Sequence, residues 1–136
     1  MASTSVSRVM PASPERVWEL IGGFHALPDW LPYIPESTML DGGRVRRLVN
    51  PDGGVIVERL LSFNEAERCY TYAIVEGPFP VTGYLSTLRV YPVPGAAEVV
   101  WSGRFTPTTG SDDAAVELFT TIYRDGLDAL HDLLAG

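Results

Sequence analysis

The sequence predicts an α+β fold in which a curved antiparallel sheet of seven strands wraps around one long C-terminal helix. Three observations carry that prediction. From Glu36 onward, about seventy residues alternate strand-like runs with turns rich in Gly, Asn and Pro. After Pro107 the pattern changes to a single apolar stripe on a helix of about 24 residues, or roughly 36 Å. A helix that long must bury its stripe against something equally long, and the sheet is the only element of that length.

The elements follow in order. Ser5 to Met10 alternates well enough for a first strand. Ser13-Pro14-Glu15 reads as a helix start, with Ser13 as the capping oxygen, Pro14 where its missing N–H costs nothing, and Glu15 at the positive end of the dipole. Val17, Leu20, Ile21 and Phe24 follow at helical spacing until Gly22-Gly23 ends the run. Prolines confine the next helical segment to one turn between Ala26 and Leu31. Six strands then succeed one another: Ser37 to Leu40, Arg44 to Val49, Val55 to Phe63, Cys69 to Val75, Val81 to Val90, and Glu98 to Thr106. Ser111 caps the last helix, with Asp112 and Asp113 in its first turn. Its stripe runs through Val116, Phe119, Ile122 or Tyr123, Gly126 or Leu127, Leu130 and Leu134.

Composition narrows the functions available. The 136 residues form one domain spanning residues 1–136, large enough to enclose a cavity between helix and sheet. A net charge of −7 repels nucleic acid and anionic membranes, and no apolar run reaches the length of a transmembrane helix. The N-terminus lacks the pattern of a signal peptide, so a cytoplasmic location is expected. All ten basic residues are arginines, which excludes a lysine Schiff base, and the lone Cys69 excludes an internal disulfide. His25 and His131 share no ligand spacing with Cys69, so no metal site is expected. The glycine doublets belong to helix ends and hairpins and form no phosphate or dinucleotide loop. Trp18 and Trp30 read as packing around the first helices.

Hairpin geometry gathers a polar group. A three-residue loop with Gly53 left-handed sets Leu48 opposite Ile56 and Arg46 opposite Glu58; a slip of one residue would oppose Arg46 and Arg59, which is unfavourable. A turn centred on Pro78 sets Tyr72 opposite Tyr84, Ile74 opposite Thr82 and Tyr70 opposite Ser86. A loop centred near Ala66 sets Leu60 opposite Tyr72 and Glu58 opposite Ile74. One face thus carries Arg46, Leu48, Ile56, Glu58, Leu60, Tyr70, Tyr72, Ile74, Tyr84, Ser86 and Leu88, unless a bulge moves one of them to the other side. Two readings follow. A carboxylate held by an arginine away from water suits proton transfer, with a tyrosine donating to a developing oxyanion. The same pair on the solvent side is a surface salt bridge worth about 0 to 1 kcal/mol.

The segments ASPERVWELIGGFHALPDWLP, GGRVRRL, ERLLSFNEAERCYTYAIVEG, VTGY and VVWSGRF, with the closing helix, resemble the START-like/Bet v 1-like (SRPBCC) superfamily along nearly the whole chain. The branch they resemble is the bacterial polyketide cyclase/dehydrase-like one. The resemblance implies a helix-grip fold and a cofactor-independent lyase or isomerase acting on a small, largely apolar, polyketide-like metabolite; the alternative is a non-catalytic carrier of an apolar ligand. The expected partner is therefore a small apolar or amphipathic molecule, and the protein a monomer or homodimer. Similarity to plant lachrymatory-factor synthases implies catalytic roles for Arg46, Glu58, Tyr72 and Tyr84 and a pocket tryptophan at Trp101. Leu48, Leu60, Ile74, Phe119, Tyr123 and Gly126 complete the expected binding surface. Where those enzymes carry an aromatic on the last helix this chain has Gly126, which implies a wider pocket there.

Overall fold

The computed structural model describes residues 1–136. Its elements run β1 (Ala2–Met10), α1 (Pro14–Ile21), a 3-10 turn (Leu27–Asp29), β2 (Glu36–Leu40), a second such turn (Asp41–Gly43), β3 (Val45–Val49), β4 (Val55–Asn64), β5 (Cys69–Glu76), β6 (Val81–Val93), β7 (Ala96–Pro107) and α2 (Asp112–Ala135). The seven strands form one antiparallel sheet in the order β1-β7-β6-β5-β4-β3-β2. Strands β2 to β7 are a meander; β1 closes the far edge by pairing along β7, so the chain's first strand lies beside its last. This is the helix-grip architecture read from the sequence.

Both helices begin as their residues dictate. The Ser13 hydroxyl accepts from the Arg16 amide and the Ser111 hydroxyl from the Ala114 amide, each satisfying a donor that the first turn leaves free. Helix α2 buries Ala115, Phe119, Tyr123, Gly126, Leu127 and Leu130. It lies along β1 and β7, held by polar contacts from Arg8 to Asp128 and from Thr4 to Thr120. Helix α1 buries Val17, Trp18 and Ile21, and Trp18 packs 5.5 Å from the Phe63 ring, in the packing role expected of it.

The β3–β4 hairpin closes as the sequence predicts. The Asn50 amide donates to the Gly54 carbonyl at 2.8 Å, Gly53 is left-handed at φ +87°, and Arg46 stands opposite Glu58 with Leu48 opposite Ile56. Leu60 opposite Tyr72 and Glu58 opposite Ile74 also match, although bulges after Val57 and Leu60 interrupt the ladder. The β5–β6 register differs: Tyr72 opposes Ser86 and Tyr70 opposes Leu88, so the turn is centred on Phe79, one residue later than expected. A third irregularity, at left-handed Gly83 between Thr82 and Leu85, lets β6 bend along β7 while it parts from β5. The displacement is two residues, so every side chain keeps its face. Tyr72 and Tyr84 become diagonal neighbours with ring centroids 6.1 Å apart.

Candidate active site

Between α2, the segment from Phe24 to Pro35 and the inner face of β3 to β7 lies a cavity of roughly 240 Å³, with 14 hydrophobic residues among its 17 lining side chains. Polar groups are therefore sparse, and each has an identifiable origin. Arg46 on β3 and Glu58 on β4 are cross-strand neighbours on the concave face, 1% and 6% exposed. The Arg46 Nε donates to Glu58 Oε1 at 2.8 Å, and its Nη2 lies 2.7 Å from the same oxygen. Its Nη1 donates to the Phe24 backbone carbonyl. The guanidinium is packed against aromatic rings, 4.1 Å from the Phe24 ring centroid and 4.9 Å from that of Tyr72.

This arrangement assigns unequal duties. All three nitrogens of Arg46 make contacts within the protein, and those contacts position Glu58. Both of its contacts go to Oε1, which leaves Oε2 as the carboxylate oxygen facing the cavity that Glu58 lines. Burial raises the Glu58 carboxyl above the ordinary value, and the Arg46 charge opposes that rise. For Arg46 burial is the largest single influence and pulls downward, but Glu58, Tyr70 and Tyr72 together outweigh it and the guanidinium stays protonated.

The tyrosines complete the polar floor. Trp101 donates its indole N–H to the Tyr72 hydroxyl oxygen at 3.2 Å and to Ser86 Oγ at 3.1 Å, while Ser86 donates to the Ser102 carbonyl. Because Tyr72 accepts from Trp101, its own proton is not used in that bond and is left for another acceptor. Tyr84 and Tyr123 bond through their hydroxyls at 2.5 Å. Burial raises Tyr72 and Tyr84 well above the ordinary phenol value and pushes Tyr123 up to about 12, so all three are neutral donors at physiological pH.

Of the residues expected to form the site, Arg46, Glu58, Tyr72, Tyr84, Trp101, Leu48, Ile74, Phe119 and Tyr123 line this cavity. Two do not. Leu60 faces inward but lies beyond the cavity wall, half-buried. Gly126 is covered: a Cβ there would stand 2.7 Å from the Trp101 ring, 2.8 Å from the Tyr33 hydroxyl and 3.1 Å from Leu31. The space an aromatic would occupy is taken by these side chains, so the expected widening is absent. Gly126→Ala gains about 1 kcal/mol of helix propensity but incurs overpacking of about 1 to 3 kcal/mol. Net destabilisation is expected in chemical denaturation, together with a displaced Tyr33, whose hydroxyl now donates to the Ile122 carbonyl at 3.0 Å.

The roof escaped the sequence reading. Leu27, Leu31, Tyr33 and Ile34 line the cavity from a segment read only as a proline-broken turn, as do Asn50, Phe79 and Ile122. A signal was present in Leu27, Leu31 and Ile34, whose i, i+4, i+7 spacing marks one apolar face. The structure gathers no cluster of three or more His, Cys, Asp or Glu side chains fit for a metal ion, and no helix is long and apolar enough to cross a membrane.

Comparison with known proteins gives this geometry a setting. The family described as "Polyketide cyclase / dehydrase and lipid transport" matches residues 1–135. The solved structure of the protein XoxI from Bacillus cereus is 55% identical with a TM-score of 0.97, covering 99% of this chain and 96% of that one. ZhuI aromatase/cyclase from Streptomyces sp. R1128 shares the fold at 18% identity and TM-score 0.78, covering 98% of this chain and 93% of its own. Ara h 8.0201 does so at 13% identity and TM-score 0.76, covering 98% and 97%. No curated protein matches the chain.

Proposed function

The chain belongs to the polyketide cyclase/dehydrase and lipid transport family, of the SRPBCC or Bet v 1-like kind, and we propose that it is an enzyme performing cofactor-independent acid/base chemistry on a small, largely apolar, oxygenated metabolite. The observation that carries this reading is the buried Arg46–Glu58 pair, whose Oε2 faces an apolar cavity beside the donating hydroxyl of Tyr72. The aromatase/cyclase activity of the Streptomyces structure with the same fold is consistent with it.

The proposed chemistry follows from the groups present. Glu58 Oε2 accepts a proton from carbon next to a carbonyl, and the electron pair of the broken C–H bond moves onto the carbonyl oxygen. Tyr72 donates a hydrogen bond to the oxygen as its charge develops. Glu58 then returns the proton, either to another carbon, which isomerises the substrate, or to a departing hydroxyl, which dehydrates it. Tyr84, tied to Tyr123, orients the substrate, and Trp101 holds Tyr72 in its donating state. Exclusion of water by the apolar lining strengthens each of these interactions.

The apolar lining also favours a second reading, a carrier that sequesters its ligand unaltered. Mass spectrometry of the natively purified protein, and of candidate ligands after incubation with it, separates the two. A product that appears with the wild type and not with Tyr72→Phe supports the enzyme; recovery of every ligand unchanged supports the carrier.

A further inference from the structure

The cavity specifies the charge and size of its occupant. This step rests on the reading of the cavity as a ligand site and not on whether that site is catalytic. We infer that the ligand is electrically neutral and of single-ring size, carrying one hydrogen-bond donor next to one acceptor at its buried end.

The charge argument begins with Arg46. Its Nε and Nη2 are committed to Glu58 and its Nη1 to the Phe24 carbonyl, and the guanidinium is 1% exposed beneath aromatic rings, so it presents little to an anion in the cavity. The oxygen left facing the cavity belongs to a carboxylate. An anionic ligand would lose its hydration in an apolar space and meet a negative oxygen. An ammonium would meet that oxygen, but Arg46 already neutralises it, so its desolvation is poorly compensated. A neutral donor matches Oε2, and a neutral acceptor matches the free proton of Tyr72.

Size follows from volume. An apolar cavity of about 150 Å³ takes up benzene. Scaled to 240 Å³, this gives on the order of ten non-hydrogen atoms: one substituted ring or a short branched chain. Three-ring aromatic skeletons exceed this space.

Four probes test both parts by titration calorimetry at pH 8: 4-isopropylphenol, 4-isopropylbenzoate, 4-isopropylbenzylamine and the three-ring 2-anthrol. The phenol is expected to bind, the two ions at least about 10-fold more weakly, a difference set by leaving charge and buried partners uncompensated, and 2-anthrol not at all. In Glu58→Gln the charge of Arg46 is no longer cancelled, so the carboxylate should gain relative to the phenol. Wild-type binding of either ion as tight as the phenol overturns the charge argument, and binding of 2-anthrol overturns the size argument. Failure of the phenol to bind overturns the inference as a whole. Because no turnover is read, a failure here is distinct from a failure of the proposed chemistry, which activity of the Glu58 variant decides.

Discussion

Arg46→Met destabilises the protein by about 3 to 5 kcal/mol, the cost of leaving one partner of a buried ion pair uncompensated. Met keeps the unbranched apolar stem and lacks the guanidinium, so the loss combines charge, hydrogen bonds and a small void. It also frees the Phe24 carbonyl, which the Arg46 Nη1 satisfies in the wild type. The deficit depends on pH with a defined sign. Burial already raises Glu58, and removing Arg46 removes the only group that lowers it. A carboxyl raised above its unfolded value stabilises the fold below that unfolded value and loses the contribution as pH rises through the folded one. The variant is therefore closer to wild type near pH 5 than near pH 8. Arg46→Met combined with Glu58→Leu should recover most of the stability, since an apolar replacement of both partners is often neutral. Denaturant melts of the four proteins at both pH values measure the cycle. A double-variant deficit equal to the sum of the Arg46→Met and Glu58→Leu deficits would mean that the pair is not energetically coupled.

Glu58→Gln is expected to lower turnover by about 100-fold or more while the fold is retained. The amide keeps an acceptor for Arg46 but cannot take a proton. In the wild type, turnover requires the ionised carboxylate, so it should rise with pH through the raised Glu58 value. It should then stay level into the alkaline range, because burial lifts Tyr72 and Tyr84 well above the ordinary phenol value. Residual turnover in Arg46→Met should have its rising limb at higher pH, a shift that a purely structural role for the arginine does not produce. Unchanged turnover in Glu58→Gln would remove the carboxylate from the mechanism.

Much of this site was legible because hairpins are local. Asn50 to Gly54 specify a turn, the turn specifies a register, and the register puts Arg46 against Glu58. Facing survived even where register did not: the β5–β6 turn is centred on Phe79 instead of Pro78, and a shift of two residues preserves the alternation. What stayed hidden depends on contacts between distant segments. Nothing local to Gly126 says that Trp101, Tyr33 and Leu31 converge on it. Nor does the strand sequence say that Trp101 donates to Tyr72 from two strands away. The roof was missed because its prolines suppressed a helical reading, while its apolar spacing was satisfied by one short turn and two loops.

The bond from Arg46 to the Phe24 carbonyl gives the buried pair a second employment. The arginine that orients the proposed base also fastens the start of the cavity roof to the sheet. Because losing either partner alone is costly, selection for folding would retain Arg46 and Glu58 in a descendant that had abandoned the reaction until both changed to apolar residues. In sorting relatives by chemistry, the pair marks shared architecture. The Tyr72 hydroxyl, with Trp101 behind it, and the volume above them are the characters expected to diverge with substrate.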